Sequence, residues 1–311
     1  MPLRRATFAA VVFAGAAIAP LAGLEAPPSA VDAALWNALE SRIDAAISRL
    51  DGVAGLWIED LASGATISRR ADQVFPQASA IKLALLYELG ARIDEGDAAW
   101  SEPLALAAPR VGGGGILEHL SPDLRLSLRD LAVLMIVDSD NDATNALIDR
   151  LGLDRVTRRM HDLGLPSTRL ARRMIDLDAA RAGRENVSTP REMAALMRAI
   201  RDGRGLAPAT AAELRAILAL PKSGAIGERE PFLEPFPAGP AVLEKAGSLD
   251  GVRTAVAAVE LAGRPYLVAI STTALARDGE GENLIAEISA ALYSTFDRLA
   301  REGVAGRLLP R

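Results

Sequence analysis

Three short stretches of this chain carry side chains able to break an amide or ester bond. Ser79-Ala80-Ile81-Lys82 sets a hydroxyl and an amine three residues apart, on one face of a helix that begins near Ser79. A helix start offers free N–H groups and the positive end of its dipole to a developing oxyanion. A lysine within an apolar run loses solvation, which favours the neutral amine that serves as a general base. Ser139-Asp140-Asn141 adds a second hydroxyl able to relay a proton, and an amide able to hold a substrate carbonyl. Lys245-Ala246-Gly247-Ser248 supplies a cation for an anionic substrate and a glycine that lets backbone approach a ligand closely. Taken singly, each stretch also has a structural reading: a capping serine beside a snorkelling lysine, an N-cap cluster, and an exposed edge-strand lysine that discourages aggregation.

Hydrophobic periodicity outlines the elements that must bring these stretches together. Apolar residues at helical spacing over Leu35 to Leu50 predict an amphipathic helix, and Val53 to Leu61 with a turn at Gly64 predicts a hairpin. Ala80 to Leu89 is apolar apart from Lys82 and Glu88, so it reads as a buried helix. Gly112 to Gly115 reads as a flexible loop, and it lacks the Gly-Lys-Ser/Thr ending of a phosphate-cradling loop. Helical pattern resumes from Ser127, with Ser127 and Asp130 as a capped start, and continues to Leu151 with an interruption at Ser139-Asp-Asn. Thr189-Pro190 opens a further helix, with proline at its favoured first position. Val252 to Leu261 and Tyr266 to Thr273 read as strands, and Asn283 to Arg301 as a long final helix. The expectation is an α+β fold in which residues 31–76 and 220–311 form one unit and residues 77–219 an all-helical insertion.

Composition narrows the chemistry. With 311 residues, half of them hydrophobic, the chain supports a sizeable core, and a net charge of −5 argues against a nucleic-acid partner. The absence of cysteine excludes a disulfide scaffold, a thiolate metal site and a cysteine nucleophile. The two histidines, His119 and His161, are too few for a multi-histidine metal site and lie outside the three stretches, so surface or packing roles are expected of them. No motif calls for a metal or an organic cofactor. Residues 1–30 begin with Arg4 and Arg5 and continue as a small, apolar run broken by Pro20, the pattern of a cleaved signal peptide. That pattern predicts a bacterial periplasmic or secreted protein with no stable membrane span after cleavage.

Ser-x-x-Lys, Ser-Asp-Asn and Lys-Thr-Gly, in that order, mark class A β-lactamases and penicillin-binding proteins. This chain has the first two intact and the third as Lys245-Ala246-Gly247. With Phe75-Pro-Gln-Ala-Ser-Ala-Ile-Lys, Leu128-Arg-Asp-Leu, Ser139-Asp-Asn-Asp-Ala-Thr-Asn, Ser188-Thr-Pro and Lys245-Ala-Gly-Ser-Leu in the expected order, it resembles that class A-like serine hydrolase family over nearly all of the chain beyond the leader. The resemblance implies an antiparallel sheet flanked by helices, a helical domain beside it, and an active site in the cleft between. It implies Ser79 as the acylated nucleophile, Lys82 as its activator, Ser139 as the proton donor to the leaving nitrogen and Asn141 as a substrate-positioning residue. It also implies an oxyanion hole from the N–H groups of Ser79 and Ser248, and Lys245 as the partner of a substrate carboxylate.

Two departures stand out against the family pattern. Ala246 replaces a hydroxyl that binds the substrate carboxylate, a loss that Ser248 offsets in part. Aligning Thr168-Arg-Leu-Ala-Arg with the start of the family's Ω-loop puts Met174 where class A enzymes carry the glutamate that activates the deacylating water, and Asp178 where they carry an asparagine. Asp176, Asp178 and Glu185 are the substitute carboxylates, with Glu185-Asn186 the first pair to inspect. The competing role for that pair is to bond with Arg172 and close the loop. The functional expectation is a β-lactam-opening serine hydrolase. Its rivals are a D-alanyl peptidase, amidase or esterase acting on peptidoglycan-like substrates, and a β-lactam-binding sensor without turnover.

Overall fold

The computed structural model describes residues 30–106, 109–222, 230–236 and 239–301. The leader expected over residues 1–30 therefore lies, but for Ala30, outside the described residues. Among the described residues no helix is long and apolar enough to cross a membrane.

Helix α1 (Ala30–Ser48) leads into a hairpin of β1 (Val53–Asp60) and β2 (Thr66–Arg69), as the alternation of the sequence predicts. After the short β3 (Phe75–Pro76), a 3-10 turn (Ala78–Ile81) runs directly into α2 (Lys82–Asp94). Ten successive residues of α2, Lys82 to Ala91, are buried, which is why its sequence is apolar on every face. A small ribbon of β4 (Pro103–Ala105) and β5 (Arg125–Ser127) precedes α3 (Leu128–Val137), α4 (Asn141–Leu151) and α5 (Leu153–Asp162). The Ω-loop follows, containing α6 (Leu177–Arg181) and ending in β6 (Val187–Ser188), which pairs with β3. Helices α7 (Pro190–Asp202) and α8 (Pro208–Ala219) then lead to β7 (Ala241–Leu249), β8 (Val252–Glu260), β9 (Tyr266–Thr273) and the final helix α9 (Asp278–Ala300).

The cap expected at Ser127 is formed, and Thr189 caps the helix that Pro190 opens. Ser127 Oγ accepts from the N–H of Asp130 (3.1 Å), and Thr189 Oγ1 accepts from the N–H of Glu192 (3.1 Å) with Pro190 at the first turn.

The main sheet has five antiparallel strands in the order β2-β1-β9-β8-β7, so the chain's two ends meet in its middle. Because side chains alternate across a strand, both faces of the inner strands are apolar and each carries a core. On one face Val256, Ala258, Leu267 and Ala269 join the buried residues of α2, α3, α4, α7 and α8. On the other Leu56, Ile58, Val268 and Ile270 pack under Leu39 and Ile43 of α1 and under Ile288 and Leu292 of α9. The three sequence motifs therefore lie where the helical layer meets the β7 edge of the sheet.

Candidate active site

Ser79 sits in the 3-10 turn just ahead of α2, half-buried, at a point where the chain is held from several sides. Gln77, fully buried, donates from its N–H to the carbonyl of Asn186 (3.0 Å) and from Nε2 to the Phe75 carbonyl (3.2 Å), the Ser188 carbonyl (3.3 Å) and Ser271 Oγ (3.3 Å). Its own carbonyl accepts from Thr254 Oγ1 (3.0 Å) of β8 and from the N–H of Ala80 (3.0 Å). Ala78, next to the serine, is held at φ +47°, a left-handed conformation that a non-glycine residue adopts at a cost of about 1–3 kcal/mol. Ser139 (φ +53°) and Ile175 (φ +62°) share this conformation and line the same cleft, so strain of this kind gathers around the site.

Lys82 opens α2 one turn beyond Ser79 and is completely buried. Its Nζ donates to the Ser139 carbonyl (2.5 Å), Ser139 Oγ (3.1 Å) and Asn141 Oδ1 (3.1 Å), so the amine joins the first motif to the second. The snorkelling lysine suggested by the first motif alone is thus not what forms. Asp140 is buried between the other two members of its motif and accepts from the N–H groups of Ile116 (2.9 Å), Leu117 (2.9 Å) and Ala143 (2.8 Å), capping α4 while fixing the loop before it.

The glycine loop is not free, as its composition suggested. Asn141 Nδ2 donates to the carbonyls of Gly112 (3.1 Å) and Gly113 (2.9 Å), and Asp142 accepts from the N–H of Val111 (2.9 Å). Glycine is needed there because Gly112 and Gly115 have φ of +59° and +95°, and a Cβ on either would overlap the carboxylates of Glu118 and Asp140 respectively.

The third motif lies in the outer half of β7, the edge strand. Lys245 is only 5% exposed, its Nζ donating to the Ala246 carbonyl (2.9 Å), so it is not the solvated edge lysine of the structural reading. Gly247 has a further use. A Cβ there would lie 2.7 Å from the Gln77 carbonyl and 2.8 Å from the Ala80 nitrogen, so glycine admits the turn that carries Ser79 against the strand. Ser248 is exposed in the cleft. Ser79, Ser139, Asn141, Glu185, Lys245, Gly247 and Ser248 all line this one cleft of about 750 Å³, with Lys82 beneath its floor. A second depression of similar volume, lined by residues 148–155, Arg158 and Arg173, carries no nucleophilic hydroxyl.

Met174 lines the cleft as the alignment of the Ω-loop predicts, and its backbone is clamped by Asn145: Met174 N–H donates to Asn145 Oδ1 (2.8 Å), and Asn145 Nδ2 donates to the Met174 carbonyl (3.2 Å). The three substitute carboxylates are each engaged. Asp176 caps α6 through the N–H of Ala179 (2.9 Å), and Asp178 pairs with Arg181 (2.8 Å) in solvent; neither lines the cleft. Glu185 does line it, but its Oε1 accepts from Arg172 Nε (2.9 Å) and from the N–H of Asn186 (2.8 Å). Asn186 Oδ1 accepts in turn from the N–H groups of Ala171 (2.7 Å) and Arg172 (3.0 Å). This is the geometry of loop closure. Arg253 also lines the cleft, with its guanidinium held by Glu282 (3.1 Å) and Asp278 (3.3 Å). Gln77 and Asn145 acquire positioning roles that no spacing rule announces; the one signal is a polar residue inside a stretch that is otherwise buried.

The β-lactamase enzyme family model matches residues 38–296. The curated Beta-lactamase AST-1 of Nocardia asteroides is 29% identical over 247 residues, covering 78% of each chain. Among solved structures, PBP-A aligns with a TM-score of 0.75 and 28% identity over 84% of this chain and 96% of its own. The β-lactamase of Sphaerobacter thermophilus aligns with a TM-score of 0.74 and 30% identity over 84% of this chain and 97% of its own. A single-site mutant of PBP-A with the same fold has been solved as an acyl-enzyme with penicillin G. The architecture is accordingly the class A β-lactamase-like fold, an antiparallel sheet with helices packed on both faces.

Proposed function

The chain belongs to the β-lactamase enzyme family, and we propose that it opens β-lactam amide bonds through an acyl-enzyme on Ser79. The observation that carries this reading is the buried Lys82 amine hydrogen-bonded to both Ser139 and Asn141, one turn from Ser79. In the neutral form the amine takes the Ser79 proton as Oγ bonds to the substrate carbonyl carbon. Negative charge on the carbonyl oxygen is then met by the N–H groups of Ser79, at a helix start, and Ser248. As the C–N bond breaks, the 3.1 Å contact from Lys82 Nζ to Ser139 Oγ carries the proton onward, Ser139 giving its own to the departing nitrogen. Lys245 and Ser248 hold the substrate carboxylate at the β7 side, without the hydroxyl that Ala246 lacks. Nothing in these steps draws on a metal or an organic cofactor.

Hydrolysis of the acyl-enzyme needs a base for water, and Met174 offers none. With Glu185 bound to Arg172, this favours a second reading in which acylation outruns release, as in a peptidase on peptidoglycan-like substrates inhibited by β-lactams, or a sensor. Incubation with penicillin G and with a chromogenic cephalosporin separates them. Rapid colour development lost in Ser79→Ala supports the hydrolase, whereas a persistent mass increase equal to one penicillin supports slow release. If Ser79 takes no adduct and no ring opens, both readings fail. We also propose that the chain is exported, on the strength of its first 30 residues; cell fractionation tests this.

A further inference from the structure

The stretch from Arg150 to Arg173 runs against the charge of the rest of the chain, with seven arginines and two aspartates in 24 residues of a protein whose net charge is −5. Three of the seven arginines are engaged by buried or half-buried acids: Arg150 by Glu102, Arg159 by Glu88 and Arg172 by Glu185, each at 2.7 Å. The other four are not held in this way. Arg158 and Arg169 are exposed, and among the described residues neither side chain makes a hydrogen bond or an ion pair. Arg155 has its side chain 52% exposed, with Asp97 no nearer than 3.7 Å. Arg173 bonds Asp149 through Nη1 alone. Arg155, Arg158 and Arg173 all line the depression of about 750 Å³ beside the α4–α5 corner, which shares no lining residue with the cleft around Ser79. Arg150 also lines it, but is taken up by Glu102 and by the carbonyl of Asp97. The lining carboxylates are Asp149, bonded to Arg173, and Asp154 in the first turn of α5.

Arg155 and Arg158 stand three residues apart on α5, so two like charges share one helix face at a small cost in stability. Each guanidinium presents five N–H donors in a planar fork, a geometry that matches the oxygens of phosphate. Unengaged donors on three arginines around one hollow suit an oxyanion that accepts from several of them at once. We propose that this depression is a binding site for a compact soluble ligand carrying two or more phosphate groups, held by Arg155, Arg158 and Arg173. One phosphate is too few, because Asp149 and Asp154 repel an anion from the same walls. Phosphate also reaches proteins at lipid surfaces, but a concave hollow with arginines on its walls fits a small molecule better than a flat bilayer. Such binding is independent of acylation at Ser79.

Calorimetric titration of the full chain with sodium tripolyphosphate, at an ionic strength held constant with sodium chloride, tests the site. One saturable site per chain is expected. Arg158→Ala is expected to weaken it on the order of tenfold or more, as loss of one charge-assisted contact does, and Arg155→Ala combined with Arg158→Ala to abolish measurable binding. Both side chains are exposed and neither makes a hydrogen bond among the described residues, so the fold does not depend on them. Arg169→Ala is the control: it removes an equally exposed arginine of the same stretch that does not line the depression, and is expected to leave the affinity within about twofold. Three results would overturn the site. Heat without saturation leaves no site at all, and equal weakening by Arg158→Ala and Arg169→Ala leaves only a diffuse basic face. Binding to phosphatidylglycerol vesicles with none to tripolyphosphate makes the surface a lipid contact instead. None of the three bears on whether penicillin acylates Ser79.

Discussion

In the proposed mechanism, Met174 sets how long an acyl group stays on Ser79. It lines the cleft and its backbone is fixed at both N–H and C=O by Asn145, so a carboxylate introduced there would arrive on a positioned frame. Met174→Glu is expected to shorten the lifetime of the penicillin adduct by on the order of a hundredfold, the worth of a placed general base, measured as decay of the mass-shifted species. A second prediction concerns Glu244, buried beside Lys245. Burial, with Glu230 adding repulsion, pushes its carboxyl up to about 7 from an ordinary 4.5. The unfolded chain releases this proton near 4.5 and the folded chain near 7, so across that window the folded state holds more protons and stability falls as pH rises. Glu244→Gln is expected to flatten that fall, seen by denaturant titration at about pH 5 and about pH 8. That Ser79, Lys82, Ser139 and Asn141 belong to one candidate site was legible in the sequence because few residue types can do such work and their spacing is short, and the structure brings them together. The roles of Gln77 and Asn145 were not, because a side-chain amide that bonds distant backbone leaves no local pattern.

Two elements convert those residues into a site. The 3-10 turn carrying Ser79 leans on β7 at Gly247, where a Cβ would meet backbone atoms at 2.7 Å and 2.8 Å. Gly247→Ala is expected to cost about 1–3 kcal/mol from overpacking and to slow acylation by on the order of tenfold to a hundredfold as the serine is displaced. Thermal melts and adduct kinetics read the two effects separately. The Ω-loop is the other element, closed by the bridge of Arg169 with Val187 and by Arg172 with Glu185 and Asn186. Glu185→Gln weakens an ion pair whose arginine is buried, so stability is expected to drop by about 1–3 kcal/mol while adduct decay stays within about threefold. A tenfold slower decay in a folded variant would make Glu185 the water base instead. Helix boundaries at Ser127 and Thr189 could be read directly, since caps act within three residues. Composition alone makes the glycine loop look flexible, because the groups that hold it, Asp140, Asn141 and Asp142, lie in another element.

For the molecule as a whole, the sheet is a shared wall. Its inner strands contribute to the core under α1 and α9 on one face and to the core of the helical layer on the other. One cooperative thermal transition is therefore expected, with loss of penicillin acylation at the same temperature; two resolved calorimetric transitions would contradict this. The strand order bears on how the protein is made. β1 lies between β2 and β9, and the Arg264–Asp60 contact beside that pairing joins residues 204 apart in the chain. A chain emerging N-terminus first has made Ser79, Lys82 and Ser139 long before it has made β7, β8 or β9. Until then the 3-10 turn has no strand to lean on, and β1 lacks its longest partner. Folding of the sheet must wait for nearly the last strand, so a truncated or half-synthesised copy holds Ser79 and Lys82 in sequence without the cleft that surrounds them.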